Sequence, residues 1–169
     1  MISQPARHVR RVFTVALLAA LGAACSSQPP VSTKQSTAGK HSTVGNHSTV
    51  GDRAAAIALN QLGTPYRYGG SNPTGFDCSG LVQYSYARAG LPLPRTTRAL
   101  WNHAEPVDSR RIRPGDLLFF EISGKMSHVG LYLGNGRFVH APSSGKVVSV
   151  ESLHSDYYSR AFMRAGRPQ

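Results

Sequence analysis

The spacing of apolar residues changes once along this chain, and the change divides its folded part in two. Up to about residue 103 they fall in stretches bounded by helix signals. Asp52 is a candidate N-cap for a helix through Leu62, stopped by Gly63 and Pro65. A glycine- and proline-containing loop from Thr64 to Asp77 leads to a second helix, Cys78 to Ala89, with Gly90 as its stop. A short third helix is predicted over Thr97 to His103. Beyond that, Leu117 to Ile122, Val129 to Leu133, Phe138 to Ala141, Val147 to Val150 and Ala161 to Arg164 are short β-rich runs separated by turn residues. Helices followed by antiparallel strands predict an α+β domain, here residues 52–169, large enough for one core.

What precedes the domain has a different composition. Residues 1–24 carry Arg7, Arg10 and Arg11, then an apolar run from Val12 that ends in the small residues Gly22, Ala23 and Ala24. A cationic start, a short apolar run and a small-residue end predict an export signal rather than a membrane span. Cys25 follows at once, in the manner of a bacterial lipoprotein signal whose cysteine is freed and lipidated. Gly22 departs from the Leu-type residue usual three before that cysteine, and Leu21 stands one place further back. Ser26, rather than Asp, resembles a sorting signal for the outer membrane of a periplasmic lipoprotein. Residues 25–51 then read as a tether, rich in Ser, Thr and Gly, in which Ser36-Thr37-Ala38-Gly39-Lys40-His41 is echoed from Ser42 and again from Ser48. His41 and His47 lie in these repeats without further ligands nearby, which suits a linker better than a metal site.

Charge and cysteine count narrow the chemistry. The formal charge is +11, and removing the three arginines of residues 1–24 leaves +8. The remaining arginines are scattered, with no basic run interleaved by aromatics, so an anionic cell envelope fits better than a nucleic acid. The chain has 2 cysteines, so a disulfide framework is excluded. If Cys25 carries lipid, Cys78 is a lone thiol in an oxidising compartment, and such a thiol is a liability unless its reactivity is used.

Cys78 falls at a predicted helix start, where free N–H groups favour thiolate and can bind an oxyanion. A cysteine nucleophile also needs an imidazole and a group to orient it. His128 opens one predicted strand and His140 closes the next, so the intervening Gly134-Asn135-Gly136 turn decides whether they meet. A plain two-residue Asn-Gly turn sets His140 opposite Leu131 and puts the imidazoles on opposite faces. A three-residue loop with Gly136 as a bulge sets His140 opposite Gly130, and both rings share a face as diagonal neighbours. The second arrangement is expected.

Several segments, in order, resemble the NlpC-type cell-wall peptidases: TPYRYGG (64–70), FDCSGLVQY (76–84), LPRTT (93–97), RPGDLLFF (113–120) and HVGLYLGNGRFVHAP (128–142). The resemblance spans about Arg53 to Arg164. It implies a papain-like fold with N-terminal helices packed on a small antiparallel sheet, and a Cys-His-His set: Cys78 as nucleophile, His128 as base, His140 as orienter. It also implies that Tyr66 lines the oxyanion position and that Asp77 and Ser79 help to hold substrate. Arg95 either contacts substrate or pairs with an acid near the site. Asp116, in its Pro-Gly-Asp turn, reads as structural. Leu100 stands where relatives often carry Gln, which removes one polar contact. The implied substrate is peptidoglycan, cut at a D-Ala–diaminopimelate or D-Glu–diaminopimelate bond, by a monomer that needs no cofactor or metal and is held to a membrane through lipid on Cys25. Three other readings remain open on the residues: a zinc site of Cys78, His128 and His140, a non-catalytic peptidoglycan-binding lipoprotein, and an acyl-transferring enzyme using the same thiol.

Overall fold

A computed structural model describes residues 48–169. The segment read as an export signal, with Cys25, His41 and His47, lies outside the described residues.

The first helix, Val50–Leu59 (α1), begins earlier than the sequence predicts. Thr49, not Asp52, is the N-cap: its Oγ1 accepts from the Asp52 N–H at 3.1 Å, and Asp52 Oδ2 accepts from the Thr49 N–H at 2.8 Å. This reciprocal capping box satisfies two donors that a helix start leaves free. The last copy of the Ser-Thr-Val-Gly repeat is therefore helix start and not tether. Gly51 is required there, because a Cβ would lie 2.9 Å from the Pro114 carbonyl oxygen.

Within the loop that follows, Ser71–Asn72 (β1) and Gly75–Phe76 (β2) form a small hairpin. Cys78–Arg88 (α2) and Thr97–His103 (α3) come next, close to prediction. The remaining elements are Glu105–Val107 (β3), a 3-10 turn at Ser109–Arg111, Leu117–Ile122 (β4), Lys125–Gly134 (β5), Arg137–His140 (β6), Ser149–Ser152 (β7), Asp156–Ala161 (α4) and Phe162–Arg167 (β8). Strands β3 to β8 make one antiparallel sheet in the order β3-β8-β4-β5-β6-β7. Two expectations shift here. The strand placed at Val147 to Val150 lies at Ser149–Ser152, and that placed at Ala161 to Arg164 starts after a helix the sequence did not suggest.

The sheet is covered on both faces. Leu117, Phe119, Val129, Leu131, Val139 and Ala141 pack with Ala54, Ala58, Leu81, Val82, Tyr86 and Leu100 of the first three helices. On the opposite face Leu118, Phe120 and Phe138 pack with Tyr158 and Phe162 from the α4 region. Burying each such Phe or Leu stabilises the fold by about 1.5–3 kcal/mol. Leu100 is fully buried, so the departure from Gln is a core choice, and Trp101 beside it stacks edge-on to Phe119 with the Arg164 guanidinium 3.8 Å above its ring.

Candidate active site

The two histidines meet, by a route that differs from the one predicted. Gly134 and Arg137 are partners, so the turn is a two-residue Asn135-Gly136 turn, with φ of 52° and 67° as a hairpin of this kind requires. Leu131 nevertheless faces Val139, because the register slips between Tyr132 and Gly134. The extra residue is Leu133 on β5, not Gly136 in the loop. This bulge undoes the flip that the short turn would impose. His128 and His140 end on one face, His128 Nε2 to His140 Nδ1 at 2.7 Å.

A second irregularity lies beside Cys78. Phe120 faces His128 but Glu121 faces Met126, leaving Ser127 as the extra residue. The Ser127 carbonyl oxygen is 3.9 Å from Cys78 Sγ, and the Val129 N–H also donates to the sulfur. The backbone on both sides of His128 thus touches the thiol. Thr97 Oγ1, at the start of α3, stands 3.7 Å from the same sulfur. Sequence reasoning missed Thr97; its signal was the Thr96-Thr97 pair, in which Thr96 caps α3 and leaves its neighbour free.

Cys78 is the first residue of α2, as predicted, and Asp77 is the cap. Asp77 Oδ1 accepts from the Gly80 N–H at 2.7 Å and the Ser79 hydroxyl at 3.2 Å, while Oδ2 accepts from the Gly69 N–H at 3.0 Å. Arg95 closes the group. Its Nη1 donates to Asp77 Oδ1 and Ser79 Oγ, both at 2.9 Å, and its Nη2 donates to Asp77 Oδ2 at 2.6 Å and the Gly70 carbonyl at 3.3 Å. Of the two possibilities for Arg95, the structure has it paired with an acid. Asp77 and Ser79 line the cleft, yet their polar atoms are taken up by one another and by Arg95. Gly80 is needed because a Cβ would meet the Gly70 carbonyl oxygen at 2.0 Å. The N–H of Cys78 itself has no hydrogen-bond partner among the described residues.

The resting charge state differs from the sequence expectation of a thiol pulled down by the helix start. Burial pushes the Cys78 thiol up and the Asp77 charge adds to it, against hydrogen bonds from Thr97, Val129 and Ser79. Burial also drives His128 down to about 4, and burial with the His128 and Lys146 charges drives His140 down to about 3. A neutral thiol beside neutral imidazoles results. When His128 Nε2 carries the proton and donates to His140 Nδ1, His128 Nδ1 is left as an acceptor. His140 then holds its proton on Nε2, a buried atom without a hydrogen-bond partner. The aromatic rings of Phe138 and Tyr158, with centroids 5.0 and 5.4 Å from the His140 ring, surround it.

The cleft over Cys78 has a volume of about 470 Å³ and is lined by Tyr66, Tyr68, Asp77, Arg95, Thr97 and Ser127 among others. Tyr66 is placed there as expected. Asp116 lies elsewhere, clasped by Arg167 at 2.8 and 2.7 Å. Among the described residues no three His, Cys, Asp or Glu side chains gather as metal ligands.

The sequence profile of the NlpC/P60 family matches residues 63–167. Over 125 residues the chain is 41% identical to murein DD-endopeptidase MepH of Escherichia coli, a match covering 68% of this chain and 46% of that protein. Over 114 residues it is 44% identical to the bifunctional muramidase/DL-endopeptidase CwlT of Bacillus subtilis, covering 65% of this chain and 34% of that protein. The chain therefore spans less than half the length of these curated relatives. The crystal structure of the NlpC/p60 domain of the peptidoglycan hydrolase SagA aligns at a TM-score of 0.61 and 34% identity, over 70% of this chain and 97% of that one.

Proposed function

The chain belongs to the NlpC/P60 family, and from that membership we propose that it is a peptidoglycan endopeptidase with Cys78 as nucleophile, His128 as base and His140 as orienter. The observation that carries the reading is the seating of the Cys78 sulfur against the backbone on both sides of His128, whose ring is bonded to His140. The endopeptidase names of the relatives support the substrate class.

With thiol and imidazole both neutral at rest, the proton moves as the bond forms. Cys78 Sγ attacks the peptide carbonyl carbon while His128 takes the thiol proton. The free N–H of Cys78 and the Tyr66 hydroxyl stabilise the oxyanion. The C–N bond breaks, His128 returns the proton to the leaving amine, and a thioester remains. Water then loses a proton to His128 and attacks the thioester carbon, and the C–S bond breaks as the sulfur takes that proton back from His128. His140 holds the His128 ring throughout. Asp77, Ser79 and Arg95 fix the loop and helix start that carry Cys78, and form the floor on which the stem peptide rests.

The relatives' names divide between DD and DL bonds, and the proposed bond is one that joins diaminopimelate to D-Ala or D-Glu. Digestion of purified sacculi, followed by mass spectrometry, tests the whole reading. Products cut at one of these bonds, with Cys78→Ala slower by at least about 1,000-fold, are expected. Cleavage by Cys78→Ala at the wild-type rate overturns the reading, and transfer of the acyl group to an added amine instead of water identifies the acyl-transferring alternative. We infer further that Cys25 carries lipid and anchors the enzyme in the cell envelope. Palmitate labelling that persists in Cys25→Ser overturns that inference.

A further inference from the structure

His128 has a second pocket on its far side. This cavity, about 670 Å³, has His128 in its wall together with Lys146, Glu151, Ser155, Tyr157 and Tyr158. The cleft over Cys78 includes Ser127 but not His128 in its lining. The two adjacent residues of the β5 bulge therefore face different spaces, one on the sulfur side and one on the imidazole side.

The chemistry of amide cleavage assigns these spaces different occupants. The acyl part stays on the sulfur, whereas the amine part departs with the proton that His128 returns, so the amine side must lie next to the imidazole. The far pocket also carries one exposed cation and one exposed anion, and neither Lys146 nor Glu151 is in an ion pair among the described residues. Both sit on fixed backbone. The Lys146 carbonyl accepts from the Tyr66 N–H at 2.8 Å, and Pro65 bridges to Val147, so the Lys146 loop is tied to the Tyr66 side of the catalytic cleft. Glu151 is paired with Phe138 in the sheet. Tyr157 and Tyr158 supply apolar wall to the same pocket.

We propose that this pocket receives the amine side of the scissile bond, with Lys146 taking a carboxylate and Glu151 an ammonium group of a diaminopimelate residue. Such a residue bears an amino-acid group at each end of a short apolar chain, which matches a pocket of one cation, one anion and tyrosine wall. Where the departing amine is the one next to the bound carboxylate, Lys146 contacts it beside the scissile bond. Where the other amine departs, the far end of the residue meets both charges. The inference rests on the endopeptidase reading for the direction of the peptide.

The test uses full-length Cys78→Ala protein and two synthetic stem peptides, one with the free diaminopimelate carboxylate and one with that group amidated. Calorimetry is expected to show about 10-fold tighter binding of the acid form, the size of one charge-assisted contact. Lys146→Gln is expected to weaken the acid form alone and erase the preference. Glu151→Gln is expected to weaken both peptides by a similar factor, since both keep the ammonium group. Equal binding of acid and amide by the parent protein, no binding of either, or a preference that survives Lys146→Gln overturns the proposal. Wild-type enzyme that cleaves neither these peptides nor a D-Ala–diaminopimelate cross-linked dimer sinks the hydrolase reading instead, while the binding preference still scores the pocket.

Discussion

Asp77 and Asp116 are both buried carboxylates gripped at two points by a single arginine, Arg95 at 2.9 and 2.6 Å and Arg167 at 2.8 and 2.7 Å. Each arginine side chain is about a third exposed, at 32% and 36%. Their surroundings separate them. Around Asp77 the further donors are Gly69, Ser79 and Gly80, so the pair fixes the loop and helix start on which Cys78 stands. Around Asp116 they belong to scaffold: Asp116 Oδ2 accepts from the Arg113 N–H at 2.8 Å, and its carbonyl accepts from the Tyr132 N–H at 2.9 Å. That second pair ties the turn before β4 to the last strand, β8. The same bidentate clasp therefore fixes the helix start under Cys78 at one place and closes a sheet at another. Only what each aspartate also holds tells them apart.

The largest effect is expected from opening the first clasp. Arg95→Met leaves the Asp77 carboxylate without its cation and takes one donor each from the Gly70 carbonyl and the Ser79 hydroxyl. Misplacing a nucleophile by on the order of 1 Å can cost about 100-fold in rate, and a loss of kcat/KM of about that size, mostly in kcat, is expected on muropeptides. Arg95→Lys keeps a charge but not the planar fork and should recover only part of the rate. If Arg95→Met unfolds at the wild-type temperature and cleaves at the wild-type rate, the clasp does not position Cys78.

The sequence made the Cys78 side easier to read than the rest. α2 and α3 carry their own punctuation: Asp77 and Thr96 as caps, Gly90 just past an end. β4 is a plain apolar run. The start of α1 was legible too, as a Thr-x-x-Asp box, but Asp52 drew the cap assignment because it adjoins the apolar residues. The hairpin β1–β2 has two residues per strand and α4 only six, too short for periodicity to register. The histidine pairing came out as expected for a reason the sequence does not carry, since a bulge at Leu133 leaves no mark in composition. Lys146 and Glu151 lie outside every motif that marked the site, and only folding brings them to the wall that His128 shares. The upward push on the thiol is likewise tertiary, because it comes from burial that no local pattern records.

Opening the second clasp should act on stability and leave catalysis alone. Arg167→Met removes a partner of the nearly fully buried Asp116 carboxylate. Losing a buried pair costs several kcal/mol, but exposure of the arginine screens this one, and a loss of about 1–2 kcal/mol is expected. A urea midpoint that falls while kcat/KM stays within about twofold supports the division of labour. A rate loss as large as that of Arg95→Met would erase the contrast between the two clasps.

The finest distinction lies in the charge each aspartate presents to the thiol. Burial is the main cause that raises the Cys78 thiol, and the Asp77 charge raises it further, whereas Asp116 plays no part. Removing the Asp77 charge therefore lowers the thiol, and freeing Arg95 from its partner acts in the same direction. Asp77→Asn should shift the pH profile of iodoacetamide alkylation of Cys78 to lower pH, so that the variant reacts faster than wild type near pH 8. Asp116→Asn should leave that profile where it is. The direction is the informative part, because loosening the helix start without any electrostatic effect would change the plateau rate and not the midpoint. An Asp77→Asn midpoint at or above that of wild type means the carboxylate is not part of what holds the proton on the sulfur, and the first clasp would then serve Cys78 by position alone.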